Sequence, residues 1–470
     1  MKLNKDNLLN WQSVKICTGV LFISVGIICN VWTIGKYFTL KGVIDDLLTR
    51  WIIWIFDFAC IGFGLFLLLF SNRINKTFIQ NFILSVISVV VCVSMIEIGY
   101  FFYKLNKSDQ YFIWLPHTYN VFKPLSQTLP GIKGMSHFTI NSKGIRGRDF
   151  SEENEYRILS IGGSTTECLY LDDSEAFPAL LEKYLNEMTT LKVWVGNVGR
   201  SGLNTIDHIL AMKYLFNGLP RIDMIILLIG ANDLMISLHP WYTPPFLRAL
   251  DNEKWQKRRA FLVSPESFSF RSLFVFKLFQ KLSYRFAKVL PSWQDEAGKW
   301  YEDRRRKRLD SEKINTIPDL SLPLKQYQIN INKIINIARE KSIRLLFLTQ
   351  PSMWRKDLSA RENNLLWAGA VGSPFDNNVT KYYSAQPLSI MMKKYNNILL
   401  ENTSKFGVEC IDLASILPKD TTVFYDDFHF NEGGANKIAR IIADYLIHTK
   451  PFNKRSAIMK PEVNCISYGR

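Results

Sequence analysis

Apolar residues are spread unevenly along the 470-residue chain, and this limits its possible folds more than any single motif does. Residues 14–34, 51–70 and 78–102 are apolar runs, each long enough to predict a helix that crosses a hydrocarbon core. A cleaved leader would account for one such run near the start, not for three. Residues 1–104 therefore read as a three-helix membrane anchor, and the rest as a soluble domain ending in a tail at 451–470. Asp57 and Glu97 fall inside the second and third runs. An intramembrane carboxylate is a functional candidate by default. A water-exposed or paired group near the outer leaflet is the blander alternative.

The net charge of +16 suits anionic lipid headgroups or acidic glycans. No nucleic-acid motif accompanies it, so nucleic acid is not an expected partner. The run Arg304–Arg308 reads as a solvated basic face. Cys17, Cys29, Cys60 and Cys92 lie in the apolar runs as small hydrophobes. Cys168, Cys410 and Cys465 have neither CxxC nor metal-ligand spacing, and a Cys168–Cys410 bridge is not expected.

Residues 105–155 are polar and rich in turns, and the alternation His137–Asn141 predicts an added strand on a connector. From 156 to 450, apolar runs of strand length alternate with helical patterns. The strands are predicted at 158–161, 193–195, 224–229, 345–349 and 408–413, with helices after 177, from about 205, around 329–337 and over 433–447. Such alternation implies right-handed crossovers and a parallel sheet. An insertion or cap at about 239–320 interrupts it. Within that insertion, 269–290 is a basic amphipathic helix pattern, suited to a membrane interface or to packing as a cap.

Four of the chain's polar turns fall at ends of the predicted strands or just before the last helix. Ser164 closes Gly162–Gly163–Ser164, Gly202 closes Asn197–Gly202, Asn232 lies in Gly230–Asp233, and His429 ends Asp426–His429. Parallel strands present their carboxyl ends on one edge, so these groups can converge there. A serine hydroxyl is a weak nucleophile until a base takes its proton, and imidazole titrates near neutral pH. A carboxylate three residues before the histidine can hold its tautomer, which favours Asp426 over Asp427. The N–H groups of Ser164 and Gly202 and the amide of Asn232 would form an oxyanion hole. Thr165, Arg200 and Trp354 are candidate pocket residues, and Gln350–Trp354 follows a strand end. His208 and His239 read as structural.

These four blocks, in this order, resemble the SGNH (GDSL-like) hydrolase superfamily, with Gly163 standing where the family's usual motif has Asp. The resemblance covers about residues 135–447. It implies a three-layer α/β/α, flavodoxin-like domain with no metal or organic cofactor, in which Ser164, Asp426 and His429 are catalytic. It further implies an acyl-enzyme mechanism in a serine esterase or O-acyltransferase. Membrane-tethered members resemble enzymes acting on O-acetyl groups of cell-surface carbohydrate, which places the domain outside the cytoplasmic membrane. Loop charges alone nearly tie: Lys2, Lys5, Lys15, Arg73 and Lys76 oppose Lys36, Lys41, Arg50, Lys104 and Lys107. Two alternatives stand beside this one: a lipid acyl-ester hydrolase, and a non-catalytic glycan-binding or assembly protein on the same fold.

Overall fold

The computed structural model describes residues 11–33, 47–70, 75–105, 111–114, 116–250, 293–294, 298–372 and 379–448. The pattern at 269–290 and the tail at 451–470 lie outside the described residues. The chain divides into two compact units, the first containing its three leading helices and the second containing all described residues from Tyr111 onward.

In the first unit the helices are Trp11–Ile28, Leu47–Leu69 and Lys76–Leu105. The first is shorter than the apolar run suggested. It ends at Ile28, because the Asn30 side chain accepts from the N–H groups of Trp32 and Thr33 and starts a separate turn. Among the described residues, only Gln80–Ile98 is long and apolar enough to cross a membrane by itself, whereas Gln12–Ile28 and Ile53–Leu69 are shorter. The first two helices pack closely. A side chain at Gly64 would strike the Gly19 carbonyl at 2.6 Å, so the backbones touch where only hydrogen fits. Asp57 is buried within this unit, while Phe58, Leu69 and Met95 are largely exposed.

The second unit is built on a five-stranded parallel sheet. Its strands are β3 (Tyr156–Gly162), β4 (Val193–Gly199), β5 (Met224–Leu228), β8 (Arg344–Leu348) and β10 (Glu409–Ile411). Their spatial order is β10-β8-β5-β3-β4, which in chain order is the doubly wound sequence 2-1-3-4-5. Every residue of β5 and nearly every residue of β3 is buried, as expected for strands covered on both faces. Right-handed crossovers put the helix Phe177–Met188 on one face, where the last helix, Glu432–His448, packs against it. Thr205–Tyr214, Ser321–Glu340 and Ala385–Phe406 pack together on the other. The apolar stripe of Ser321–Glu340 is Tyr327, Ile331, Ile334, Ile335 and Ala338; Ile329 points outward.

The connector forms a separate small sheet. Its β1 (Tyr119–Phe122) pairs antiparallel with β2 (Ser136–Thr139) and parallel with β6 (Trp293–Gln294). Its only pairing with the main sheet among the described residues is the bridge between Arg146 and Asn197 of β4. The strand expected at 137–141 is therefore present, but it does not extend the main sheet. Cys168 and Cys410 are both free thiols.

The insertion contributes two described helices, Pro244–Leu250 and Lys299–Asp310, and the strand β7 (Glu312–Ile314), which pairs with β9 (Lys381–Tyr383). The basic run at 304–308 is not a solvated face. Arg305 and Arg308 are 7% and 2% exposed, and they share an inward stripe with Tyr301 at one-turn spacing. Arg305 donates to the carbonyls of Thr128, Leu365 and Tyr425, and Arg308 to those of Ala368 and Tyr383. Backbone carbonyls without other partners reward buried guanidinium groups, which composition alone could not reveal.

Candidate active site

The strand order reverses between β3 and β5, and their carboxyl ends carry Ser164 and Asn232. Such a switch point opens a crevice at the sheet edge. Ser164 starts a four-residue helix, Ser164–Glu167, and is partly exposed while its neighbours Thr165, Thr166 and Glu167 are buried. Its preceding residue must be small: a Cβ at Gly163 would lie 2.3 Å from Asn232 Nδ2. A side chain there would displace the Asn232 amide. The same amide donates to the Leu203 carbonyl at 2.7 Å, which fixes its plane and leaves its second N–H. Gly202 takes φ +80, a left-handed conformation that glycine adopts at little cost. Among the described residues, the Ser164 and Gly202 N–H groups donate to no other group.

His429 arrives on a tight loop closed by the Phe424–Phe430 bridge. His429 Nε2 lies 2.7 Å from Ser164 Oγ, and its Nδ1 lies 2.6 Å from Asp426 Oδ2. Asp426 also accepts from the N–H groups of Phe428 and His429 at Oδ1, and from the Trp367 indole at Oδ2, 2.8 Å away. Complete burial works against its charge. The adjacent imidazole and these donors outweigh that burial and hold the carboxyl below the usual carboxylate range. Asp427 is equally buried but faces away from the imidazole, accepting from Trp354 Nε1 and from the N–H groups of Trp367 and Ala368. Burial pushes it up, against the pull of Arg308. The spacing argument thus chose the carboxylate that the structure places on the histidine.

The strand ends and the His429 loop bring Ser164, Gly202, Asn232, Asp426 and His429 to one edge. Two pocket candidates are placed otherwise. Arg200 donates to the Ile113 carbonyl at 2.7 Å and lies over the Trp114 ring, so it ties down the connector. Trp354 is fully buried behind the site, bonded to Asp427 and edge-on to Phe428. Thr165 does line the recess beside Ser164, together with Leu203, Asn232 and Gln350. That recess has only about 10 Å³ of free volume, roughly the space of one water molecule. His208, itself buried, also lines it, and burial lowers its pKa to about 4 and keeps it neutral.

Three participants had no motif to announce them: Trp367, Arg305 and Glu167. Glu167 accepts a hydrogen bond from the Ser201 hydroxyl, next to Gly202, and burial pushes its pKa up to about 7 against Ser201 and Arg146. Its position three residues after Ser164 was the available signal, since one helical turn brings both to the same side. No group of three His, Cys, Asp or Glu side chains is placed to hold a metal among the described residues.

Fold and site define a parallel α/β protein with a Ser–His–Asp constellation at the carboxyl edge of its sheet. No family model and no curated protein matches the chain. Among solved structures it is similar to an α/β hydrolase from the Lake Arreo metagenome, at 13% identity and a TM-score of 0.34, covering 64% of this chain and 97% of that one. It is also similar to a lipase/acylhydrolase from Enterococcus faecalis (14% identity, TM-score 0.32, 62% and 95% covered). A third is an acetylxylan esterase from Geobacillus stearothermophilus (11% identity, TM-score 0.33, 62% and 95% covered). At such identities and scores, only the site's own geometry can say what the protein does.

Proposed function

We propose that the protein is a membrane-anchored serine esterase or O-acyltransferase of the SGNH type, acting on short acyl esters of carbohydrate outside the cytoplasmic membrane. The observation that carries this is the unbroken relay from Ser164 Oγ through His429 to Asp426, with contacts of 2.7 and 2.6 Å. His429 takes the hydroxyl proton as Ser164 attacks the ester carbonyl. Asp426 holds the imidazole in the tautomer that leaves Nε2 free to accept, and stabilises the imidazolium. The N–H groups of Ser164 and Gly202 and the Asn232 amide receive the developing oxyanion. The protonated His429 then gives its proton to the departing alcohol. Water or a sugar hydroxyl, deprotonated by the same histidine, releases the acyl group.

The carbohydrate reading is favoured over a lipid hydrolase by the resemblance of the motifs to membrane-tethered enzymes that act on O-acetyl groups of cell-surface carbohydrate. Membrane anchoring is supported by the apolar surface of the first unit. Exposed Phe58, Leu69 and Met95 are costly in water and favourable in hydrocarbon.

The test is p-nitrophenyl acetate turnover and fluorophosphonate labelling of the full chain in detergent, beside Ser164→Ala. Both activities should vanish in the variant, and turnover should fall as the acyl chain lengthens. Labelling without turnover, relieved by adding sugar acceptors, identifies the transferase. A preference for long acyl chains would overturn the carbohydrate reading in favour of lipid. A folded chain that is neither labelled nor active would leave a binding protein.

A further inference from the structure

Trp367 lies in a loop that no motif marks, yet it touches both members of the acid–base pair's support. Its indole N–H reaches Asp426 Oδ2 at 2.8 Å, the same oxygen that faces His429 Nδ1 at 2.6 Å. Its ring is parallel to the imidazole within 9°, but the centroids are 6.3 Å apart, so the hydrogen bond is the direct link. The loop is gripped from two directions. Asp427 Oδ2 accepts from the Trp367 and Ala368 N–H groups at 2.7 and 3.1 Å. From the insertion helix Lys299–Asp310, Arg305 Nε donates to the Leu365 carbonyl at 3.0 Å and Arg308 Nη1 to the Ala368 carbonyl at 2.7 Å. Four buried contacts hold one indole in place.

We propose that Trp367 is a positioning residue that sets how strongly Asp426 supports the charged form of His429, and that the insertion helix serves the site by holding the Trp367 loop. This rests on the serine-hydrolase reading for its catalytic meaning. The Asp426 Oδ2 atom serves two donors. The indole N–H takes up part of the negative charge that would otherwise act on the imidazolium alone. It also fixes the carboxylate plane, so that the Nδ1 contact stays linear. The other charged and titratable groups around the pair are Glu167 on the nucleophile helix, Arg305 and Tyr301 on the insertion helix, and Tyr425 and Asp427 on the histidine's own loop. Arg308 faces Asp427 from the insertion helix. None of these changes when the indole N–H alone is removed.

The experiment is the imidazole titration of His429 in the full chain in detergent, read by NMR with [13C]histidine, which six histidines make tractable. In Trp367→Phe the ring remains and the N–H is lost. The His429 titration should move to higher pH by up to about one unit. The acid limb of kcat/KM for p-nitrophenyl acetate should move with it, with kcat lowered and KM nearly unchanged. Should the phenylalanine variant misfold, benzothienylalanine at 367 keeps the shape, lacks the N–H, and should give the same shift. An unmoved or lowered titration would overturn the proposal, because a packing role alone has no reason to favour the imidazolium. The titration is readable without turnover. If wild type neither turns over nor is labelled, the serine-hydrolase reading fails while the NMR result still decides the role of Trp367.

Discussion

The site has two halves built on opposite principles. Ser164, Gly202 and Asn232 stand at strand ends, held by backbone turns, a left-handed glycine and one close approach between Gly163 and Asn232. Asp426 and His429 stand on a loop held by buried side chains: Trp367, Trp354 and Asp427 around them, and Arg305 and Arg308 behind. The first half needs space and bond angles, so added atoms damage it. The second needs compensated charge, so removed atoms damage it. A carboxylate, its neighbour and two guanidinium groups can share a dry interior only if every one is hydrogen-bonded.

The largest expected effect falls on the charged half. Asp426→Asn keeps the shape but presents an amide to His429 Nδ1, so kcat should drop by about 10⁴ with the protein still folded. A much smaller loss, measured by p-nitrophenyl acetate turnover, would mean that the loop backbone rather than the carboxylate orients the imidazole. On the strand-end half, Gly163→Ala puts a methyl group where Asn232 Nδ2 lies and should lower kcat by about 10²–10³ with little change in KM. Wild-type kcat in this variant would show that the Asn232 amide takes no part in the oxyanion hole.

Arg305→Met should cost stability more than chemistry. It strands the carbonyls of Thr128, Leu365 and Tyr425 and should destabilise by about 2–4 kcal/mol, read as a lowered urea midpoint. Glu167 separates the halves by pH. Its carboxyl stays protonated in the fold to about pH 7, whereas the unfolded chain loses that proton near 4.5. Between those values the folded state binds a proton that the unfolded state lacks. Stability should therefore decline as pH rises from about 4.5 to 7, by at most about 3 kcal/mol. Glu167→Gln should flatten that slope, and urea midpoints across pH 4–8 will show it. Least affected should be Arg200→Met, which gives up one carbonyl contact and a cation–π contact worth about 1 kcal/mol and leaves turnover within a few-fold.

The same division decides what could be read in the sequence. Turn-forming glycines and short polar motifs at strand ends are local, so Ser164, Gly202, Asn232 and the Asp426–His429 spacing were legible, as was the strand–helix alternation that sets the parallel sheet. Partners fixed by tertiary contact leave no such mark. A run of five basic residues reads as solvated until the helix phase places Arg305 and Arg308 one turn apart on its inner side. Trp354 followed a strand end and suggested a pocket wall, but an indole N–H finds a buried carboxylate as readily as a ligand. Trp367 carried no signal, because its role depends on a loop closing against Asp427. The first apolar run looked continuous, and one side chain, Asn30, cut it short.

Asp426 and His429 are three residues apart, while Ser164 is 265 residues from the histidine. This pair can assemble as soon as its own loop forms. Ser164 meets it only after the sheet has been laid down from β3 to β10, a long-range closure and hence a late event in folding. Until then Ser164 is an ordinary hydroxyl. On the proposed serine-hydrolase reading, a nascent or stalled chain is chemically silent, and a Ser164 that reacts with a fluorophosphonate reports a chain folded from end to end of its sheet.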